Sequence, residues 1–375
     1  MRAYLRSGFR LVPRVVIGLI GAVALTGPSS VLAQTTTPKY SNEFLNIGVG
    51  GRALGMGNVQ AAIADGPTAG YWNPAGLVNQ PKKFNAVLMH SELFSGIVKN
   101  DYASFAMPLD SQSALGVSVI RMGVDDIADT RDIYQYGYIR YDKIQYFSVA
   151  DYAFLVSYGR KLKSVEGLSV GANAKVIYRN VGKFANAVGF GLDAGAQLRR
   201  GKWQFGLMVK DVTSTFNAWS INTDELRDVY AQTNNTLPGN TLELTLPRAI
   251  LGVGRQFAIG KDFTVLGAFD LDATFDGQRN VLLPGKAVSV DPRLGLEVGW
   301  AKIAYVRAGI NNIQKIKTFD GGEKTRVQPN FGVGVATSGL VLDLALSKIA
   351  ASSDVSQTGS AKLSSIIVSL GYSFN

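Results

Sequence analysis

From residue 81 onward the chain alternates. Val188, Phe190, Leu192, Ala194, Ala196 and Leu198 fall at one parity, and Gly189, Gly191, Asp193, Gly195, Gln197 and Arg199 at the other. Side chains of an extended strand switch faces at every residue, so such a stretch has one apolar and one small or polar face. The same period marks 168–175, 203–210, 294–300 and 340–347. It closes the chain as well, where Ile366, Val368, Leu370, Tyr372 and Phe374 oppose Ser365, Ile367, Ser369, Gly371 and Ser373. Fourteen strand-like segments result, near 83–90, 102–108, 113–123, 150–160, 168–179, 187–198, 203–210, 249–256, 263–274, 293–300, 303–311, 330–337, 340–347 and 363–374. Most have about the length that a tilted strand needs to cross a bilayer.

The connections carry a second rhythm. After the second segment they alternate short and long: 109–112 then 124–149, 161–167 then 180–186, 199–202 then 211–248, 257–262 then 275–292, 301–302 then 312–329, 338–339 then 348–362. Only 180–186 is short where a long one is due. Outer-membrane barrels have an even strand number, tight periplasmic turns and longer outer loops. A water-soluble sandwich would keep its second face wet with charge, whereas Gly, Ser and Ala dominate here. After the N-terminal leader no apolar stretch is long enough for a membrane helix, and a membrane protein without helices must close its strands into a barrel. The expected fold is all-β: a transmembrane antiparallel β-barrel of 14 strands over 81–375, in a bacterial outer membrane.

Residues 1–33 read as a secretory signal peptide: Arg2, Arg6, Arg10 and Arg14, an apolar run from Val15 to Leu25, and Val31-Leu32-Ala33 before the cut. Removing them lowers the net charge from +10 by four Arg to +6. That surplus forms no basic run interleaved with aromatics, so nucleic acid is not an expected partner. The chain has no Cys, which excludes disulfides, Cys-ligated zinc and thiol nucleophiles.

Residues 34–80 break the alternation. Gly48, Gly50, Gly51, Gly55 and Gly57 fit neither the dinucleotide nor the P-loop spacing. Glycines allow close backbone approach and positive φ, as a compact plug threaded inside a barrel requires. Asn73-Pro74 reads as an N-cap followed by Pro at the first helical position, starting one short helix through Leu77.

The run Phe44 to Asn58, containing Gly55-Met56-Gly57-Asn58, followed by Tyr71-Trp72-Asn73-Pro74-Ala75-Gly76-Leu77, resembles the N-terminal signature of the PorV/PorQ family, within the wider group of FadL-like outer-membrane barrels. The resemblance covers the whole mature chain. It implies a hatch folded into the lumen of a fourteen-strand barrel, with Gly55, Met56, Gly57, Asn58, Asn73, Pro74, Ala75 and Gly76 as its signature. For the wider group it implies inward passage of hydrophobic molecules. For PorV-type members it implies a part in type IX secretion, carrying secreted proteins from the translocon. The chain departs from many barrels in ending Phe374-Asn375 rather than on the aromatic.

Catalytic chemistry is sparse. His90 is the only His, and Ser91 beside it points the other way in extended chain, so no triad forms. Histidine-based metal clusters are excluded, and no metal, cofactor or enzymatic activity is expected. Asp125, Asp126, Asp129 and Asp132 are grouped in one outer loop without calcium-loop spacing, and read as a solvated charged loop. Lys175, Arg179, Asp193, Asp270, Asp272, Glu297 and Asp343 sit at the polar parity and would line the lumen, as a network holding the hatch. Trp203, Trp300, Tyr158, Tyr178 and Tyr372 fit interfacial girdles against membrane lipid.

Two functions follow. The first is an accessory component of protein secretion that binds secreted cargo or translocon proteins through loops 124–149 and 211–248, which are rich in Tyr, Asn and Thr. The alternative is a channel for a hydrophobic small molecule, which requires a movable hatch and an opening in the wall. A kinked strand beside the hatch would favour the channel.

Overall fold

The computed structural model describes residues 40–80, 82–317, 321–347 and 365–375. The expected leader, 1–33, and residues 34–39 of the expected hatch lie outside the described residues.

Fourteen antiparallel strands build the wall: β1 (Phe84–Leu93), β2 (Val98–Pro108), β3 (Ser113–Asp129), β4 (Gln145–Lys161), β5 (Leu168–Val181), β6 (Ala185–Arg200), β7 (Trp203–Lys210), β8 (Arg248–Ile259), β9 (Phe263–Thr274), β10 (Ser289–Trp300), β11 (Ala304–Lys317), β12 (Glu323–Thr337), β13 (Leu340–Ser347) and β14 (Ser365–Phe374). Each pairs with its neighbour in sequence, and β14 returns to β1 from Phe84↔Phe374 to Glu92↔Ile366, so the sheet closes without an edge. Among the described residues no helix is long and apolar enough to cross a membrane; strands make the crossing.

Burial follows the alternation. Along β14, Ser365, Ile367 and Ser369 are buried, whereas Ile366, Val368 and Leu370 are exposed. Leu88, Val117, Phe154, Phe190, Leu294, Phe331 and Leu344 stand on the same outer surface. An apolar exterior on a closed antiparallel barrel is stable only in lipid, and this is an outer-membrane barrel. Trp203, Trp300, Tyr158, Tyr178 and Tyr372 are all exposed.

The strands outrun the alternation at one end. β3 and β4 are 17 residues each, roughly 56 Å of extended chain, well beyond a hydrocarbon core of about 30 Å even when tilted. Their outer ends mix polar and apolar residues on both faces, as in Val124-Asp125-Asp126-Ile127 and Tyr146-Phe147-Ser148-Val149, so pairing continues where the alternation has stopped; β3 carries a bulge between Val124 and Ile127.

The largest departure concerns the expected loop 211–248. It is wall as well as loop. Strand Thr215–Ile221 pairs with the outer half of β6, and Thr241–Thr245 pairs with it in turn. Only the connection between them leaves the wall, as helix Thr223–Gln232. β7 and 215–221 are therefore one interrupted strand, as are 241–245 and β8. Between the pairs Ala194↔Val209 and Phe190↔Phe216, β6 advances four residues and its partner seven. The extra residues make a kink at Asp211–Ser214, where both named ends have φ near +55 to +59°. Opposite it, Leu246-Pro247 interrupts the returning strand, and Pro has no N–H for the ladder. Sequence alternation misses this because the kink disrupts the period.

Residues 41–79 form a plug of short turns: 3₁₀ turns at Glu43–Asn46, Gly66–Thr68 and Pro74–Val78, with α1 (Gly51–Gly55) and α2 (Ala69–Trp72). Asn73 Oδ1 accepts from Ala75 N–H at 3.2 Å, the N-cap expected of Asn-Pro, but the helix is a 3₁₀ turn. Val49, Ala69, Trp72 and Leu77 are buried among inward residues of the wall such as Met89, Ile120 and Ile177, and Met56 packs apart from them near Leu266 and Ala268.

Candidate functional site

The site is the contact between plug and wall, where glycines permit the approach. Gly57 has φ +67°, and a Cβ there would lie 2.8 Å from Ile310 N. On the wall, a Cβ at Gly295 would meet Met56 O at 2.6 Å; Gly309 closes on Met56 and Gly206 on Ala61 in the same way. Met56 is fully buried and packs with Val59, Ile63 and Leu266. Gly55 lies against Gly332. Asn58 donates to Ile47 O at 2.9 Å and stabilises the turn after α1. Asn73 Nδ2 donates to Ala61 O at 2.7 Å and also reaches Ala196 O and Leu207 O, tying plug to wall. Pro74, Ala75 and Gly76 are buried beside it, with Pro74 against Gly171.

Polar anchors surround these contacts. Glu297 accepts from Arg52 at 2.9 Å and Arg307 at 2.6 Å, and Arg307 also donates to Asp343 at 2.7 Å. Asp270 accepts from the N–H groups of Gln60 and Ala61 at 2.8 and 3.0 Å. Asp272 binds Arg248 at 2.6 Å and also Arg293. Each of these carboxylates thus meets a cation or an N–H donor, the condition for tolerating its charge out of water. The sequence singled out the carboxylates but passed over Arg52, Arg248, Arg293 and Arg307. Their strand parity was the available signal for the last three.

Lys175 and Asp193 stand at the wall's kink. Lys175 Nζ lies 2.7 Å from Asp193 and 2.6 Å from Asp211, and Asp193 accepts from Asp211 N–H at 2.8 Å. Asn173 joins Asp193 at 3.3 Å and reaches Gly70 O of the plug at 2.8 Å. Side chains here replace the ladder bonds that the interruption removes. Lys210 is buried next to them, its ammonium 4.5 Å from the Tyr71 ring centroid. A void of about 30 Å³ lies among Leu45, Tyr71, Leu155, Lys210 and Leu246-Pro247. A wider cavity of about 290 Å³ adjoins it at the outer mouth, lined by Arg248, Arg279, Arg293, Asp291 and amides including Asn46 and Asn311. Arg179 is ion-paired to Asp151 at 2.9 Å at this mouth.

Other candidate chemistry separates. His90 faces outward with Nδ1 2.6 Å from Asp101, whereas Ser91 is fully buried on the inner face. The loop carboxylates take cations of the chain: Asp125 pairs with Lys99 at 3.0 Å and Asp129 with Arg131 at 2.7 Å. Arg131 and Lys183 reach Glu225, at 3.6 and 2.9 Å, and clasp helix Thr223–Gln232 to the neighbouring loops. The Arg131 hydrogen bond is the main cause holding Asp129 down at about 2. Glu225 is lowered chiefly by the bond from Lys183.

No family model matches the chain, and no curated protein does. Solved structures do. The CymD monoaromatic hydrocarbon channel is similar over 88% of this chain and 98% of its own, at 14% identity and TM-score 0.53. The Pseudomonas putida toluene transporter TodX is similar over 87% and 97%, at 13% identity and TM-score 0.54. The Ralstonia pickettii toluene transporter TbuX is similar over 88% and 99%, at 12% identity and TM-score 0.52. At such identities the likeness is one of fold. It fits the barrel fold that the signature implies and does not reach the PorV/PorQ resemblance.

Proposed function

We propose that this barrel passes small apolar molecules across the outer membrane, past a hatch that moves. The observation that carries the reading is the interruption of the wall beside the plug, at Asp211–Ser214 and Leu246-Pro247. Ladder hydrogen bonds otherwise make such a wall a continuous barrier. Here side chains close it, and side chains change partners more readily than a backbone ladder. The likeness of fold to a monoaromatic hydrocarbon channel and to a toluene transporter supports the same substrate class. The outer cavity is a polar vestibule; apolar surface begins below it, at Leu45, Leu155 and Leu246. The Lys175–Asp193–Asp211 bridge closes the gap between passages.

The test uses the absence of native Cys. On the β4 side, a Cβ on Gly70 would lie 2.8 Å from Ser157 Oγ and 3.4 Å from Ser157 Cβ. In the double variant Gly70→Cys/Ser157→Cys, uptake of radiolabelled toluene by cells bearing the barrel should fall to the barrel-free level on oxidation and return on reduction. Uptake that never exceeds the barrel-free level, or ignores the crosslink, rejects the reading.

A second reading, an accessory role in type IX-like protein secretion, has one favourable observation. Tyr134, Tyr136, Tyr138, Tyr141 and Tyr146 all stand between 66 and 93% exposed on the outer loop. Tyr is a low-entropy contact residue for protein partners. Deleting residues 133–140, which carry three of these tyrosines, should abolish co-purification of a secreted or translocon protein and leave toluene uptake intact. Unchanged co-purification rejects this role.

A further inference from the structure

Arg255 lies on the outer surface of the barrel and has no carboxylate partner among the described residues. Its guanidinium carbon sits 4.5 Å from the Trp203 ring centroid and 4.7 Å from that of Phe257, and its Nε is buried without a hydrogen bond. The register pairs Arg255 with Trp203, which directly follows the turn at 201–202, so this cation stands at the short-turn rim of the apolar surface. On its other side the register places Gly267, where a Cβ would meet nothing within 4 Å. Beyond that gap stands Leu296, 45% exposed. A bare notch thus runs beside an unpaired, ring-held guanidinium.

The same rim is basic. Segments 82–83, 109–112, 160–167, 200–202, 260–262, 301–302 and 338–339 hold nine Lys or Arg against Asp110, Glu166 and Asp262. The six longer connections of the opposite end, 124–149, 180–186, 211–247, 275–292, 312–329 and 348–362, hold fifteen acids against thirteen Lys or Arg. The short-turn end therefore complements a surface of anionic headgroups.

We infer that Arg255, Trp203 and Phe257 with the Gly267 notch form a binding site for an anionic glycerophospholipid of the inner leaflet. The guanidinium takes the phosphodiester through its free N–H edge, in the planar geometry that suits Arg to phosphate. The two rings hold the side chain in place, and one acyl chain fills the notch left by Gly267. Charge alone would act anywhere on the rim; a notch beside one fixed guanidinium localises a single molecule.

The experiment is native mass spectrometry of the full barrel released from detergent, titrated with phosphatidylglycerol and phosphatidylcholine of identical acyl chains. One phosphatidylglycerol should be retained in preference to phosphatidylcholine. Arg255→Gln should weaken that retention roughly tenfold, the effect of losing one charge-assisted contact. Arg255→Lys should recover part of it. Gly267→Leu, which changes no charge, should also abolish the single bound lipid, while Arg200→Gln at the same rim should not. Heat-modifiable migration on gels verifies that each variant is folded. Equal retention of the two lipids, or equal loss in Arg200→Gln and Arg255→Gln, would overturn the site, as would an unaffected Gly267→Leu.

Discussion

The plug meets two different walls. Against β10 to β14, α1 is held by charge: Arg52, Glu297, Arg307 and Asp343 form one chain of ion pairs, and Ser369 accepts from Gly51. The ladder behind this chain is continuous apart from one bulge near Asn311. Against β4 to β8, the Asn73–Leu77 turn is held by neutral hydrogen bonds and close approach to glycines, and the backbone ladder is broken. Lys175, Asp193 and Asp211 bridge the break. Both clusters are buried ion pairs that resist the loss of a partner, but only the second stands in place of backbone ladder bonds, and side chains rearrange more readily than a ladder. The first wall is built to hold, the second to yield.

The severest challenge to this contrast is Arg307→Met. It leaves Glu297 and Asp343 without their shared partner, and should cost about 3–5 kcal/mol. The unfolding temperature in detergent, followed by gel migration, measures it. Lys175→Met should cost a similar amount, about 3–5 kcal/mol, because Asp193 and Asp211 both lose their ion-pair partner, although Asp193 keeps hydrogen bonds from Asp211 and Asn173. It should also raise toluene uptake and hydrogen exchange at residues 211–214, neither of which Arg307→Met should do. If the two variants open the same segment, the walls do not differ. Asn73→Ala removes an N-cap and three bonds to carbonyls, for a loss of about 1–2 kcal/mol, and should increase exchange in residues 73–78.

The smallest effect concerns the outer clasp, which lies beyond the apolar surface. Asp129 falls from an ordinary 3.8 to about 2, so its contribution is complete above pH 4 and is lost as pH drops through 2. Helix Thr223–Gln232 should therefore become protease-sensitive between pH 4 and pH 2, with an acid-stable protease as probe. The barrel strands should stay protected across that range. A helix that loosens instead near neutral pH would assign the clasp to other groups.

Most of the wall was legible because a strand in lipid has one demand at every second residue. Ile366, Val368 and Leu370 announce their face with no knowledge of their neighbours. The N-cap at Asn73 was legible too, being local. The outer ends of β3 and β4 were not, since polar and apolar residues mix on both of their faces and leave no period to read. Residues 215–221 and 241–245 were hidden by the kink that precedes one and Leu246-Pro247 that follows the other. The ion chain was half visible: inward parity marked Glu297 and Asp343, but which cation met them depended on distances across four strands.

Alternation, turn spacing and small inward residues determined by themselves that this chain closes into a fourteen-strand barrel in lipid, because each acts within a few residues of chain. The tertiary structure alone decided where the ring is weak, which charges hold the plug and which arginine is left facing lipid. Those outcomes depend on residues far apart in sequence, brought together by register. A shift of one position would turn every such partner to the opposite face.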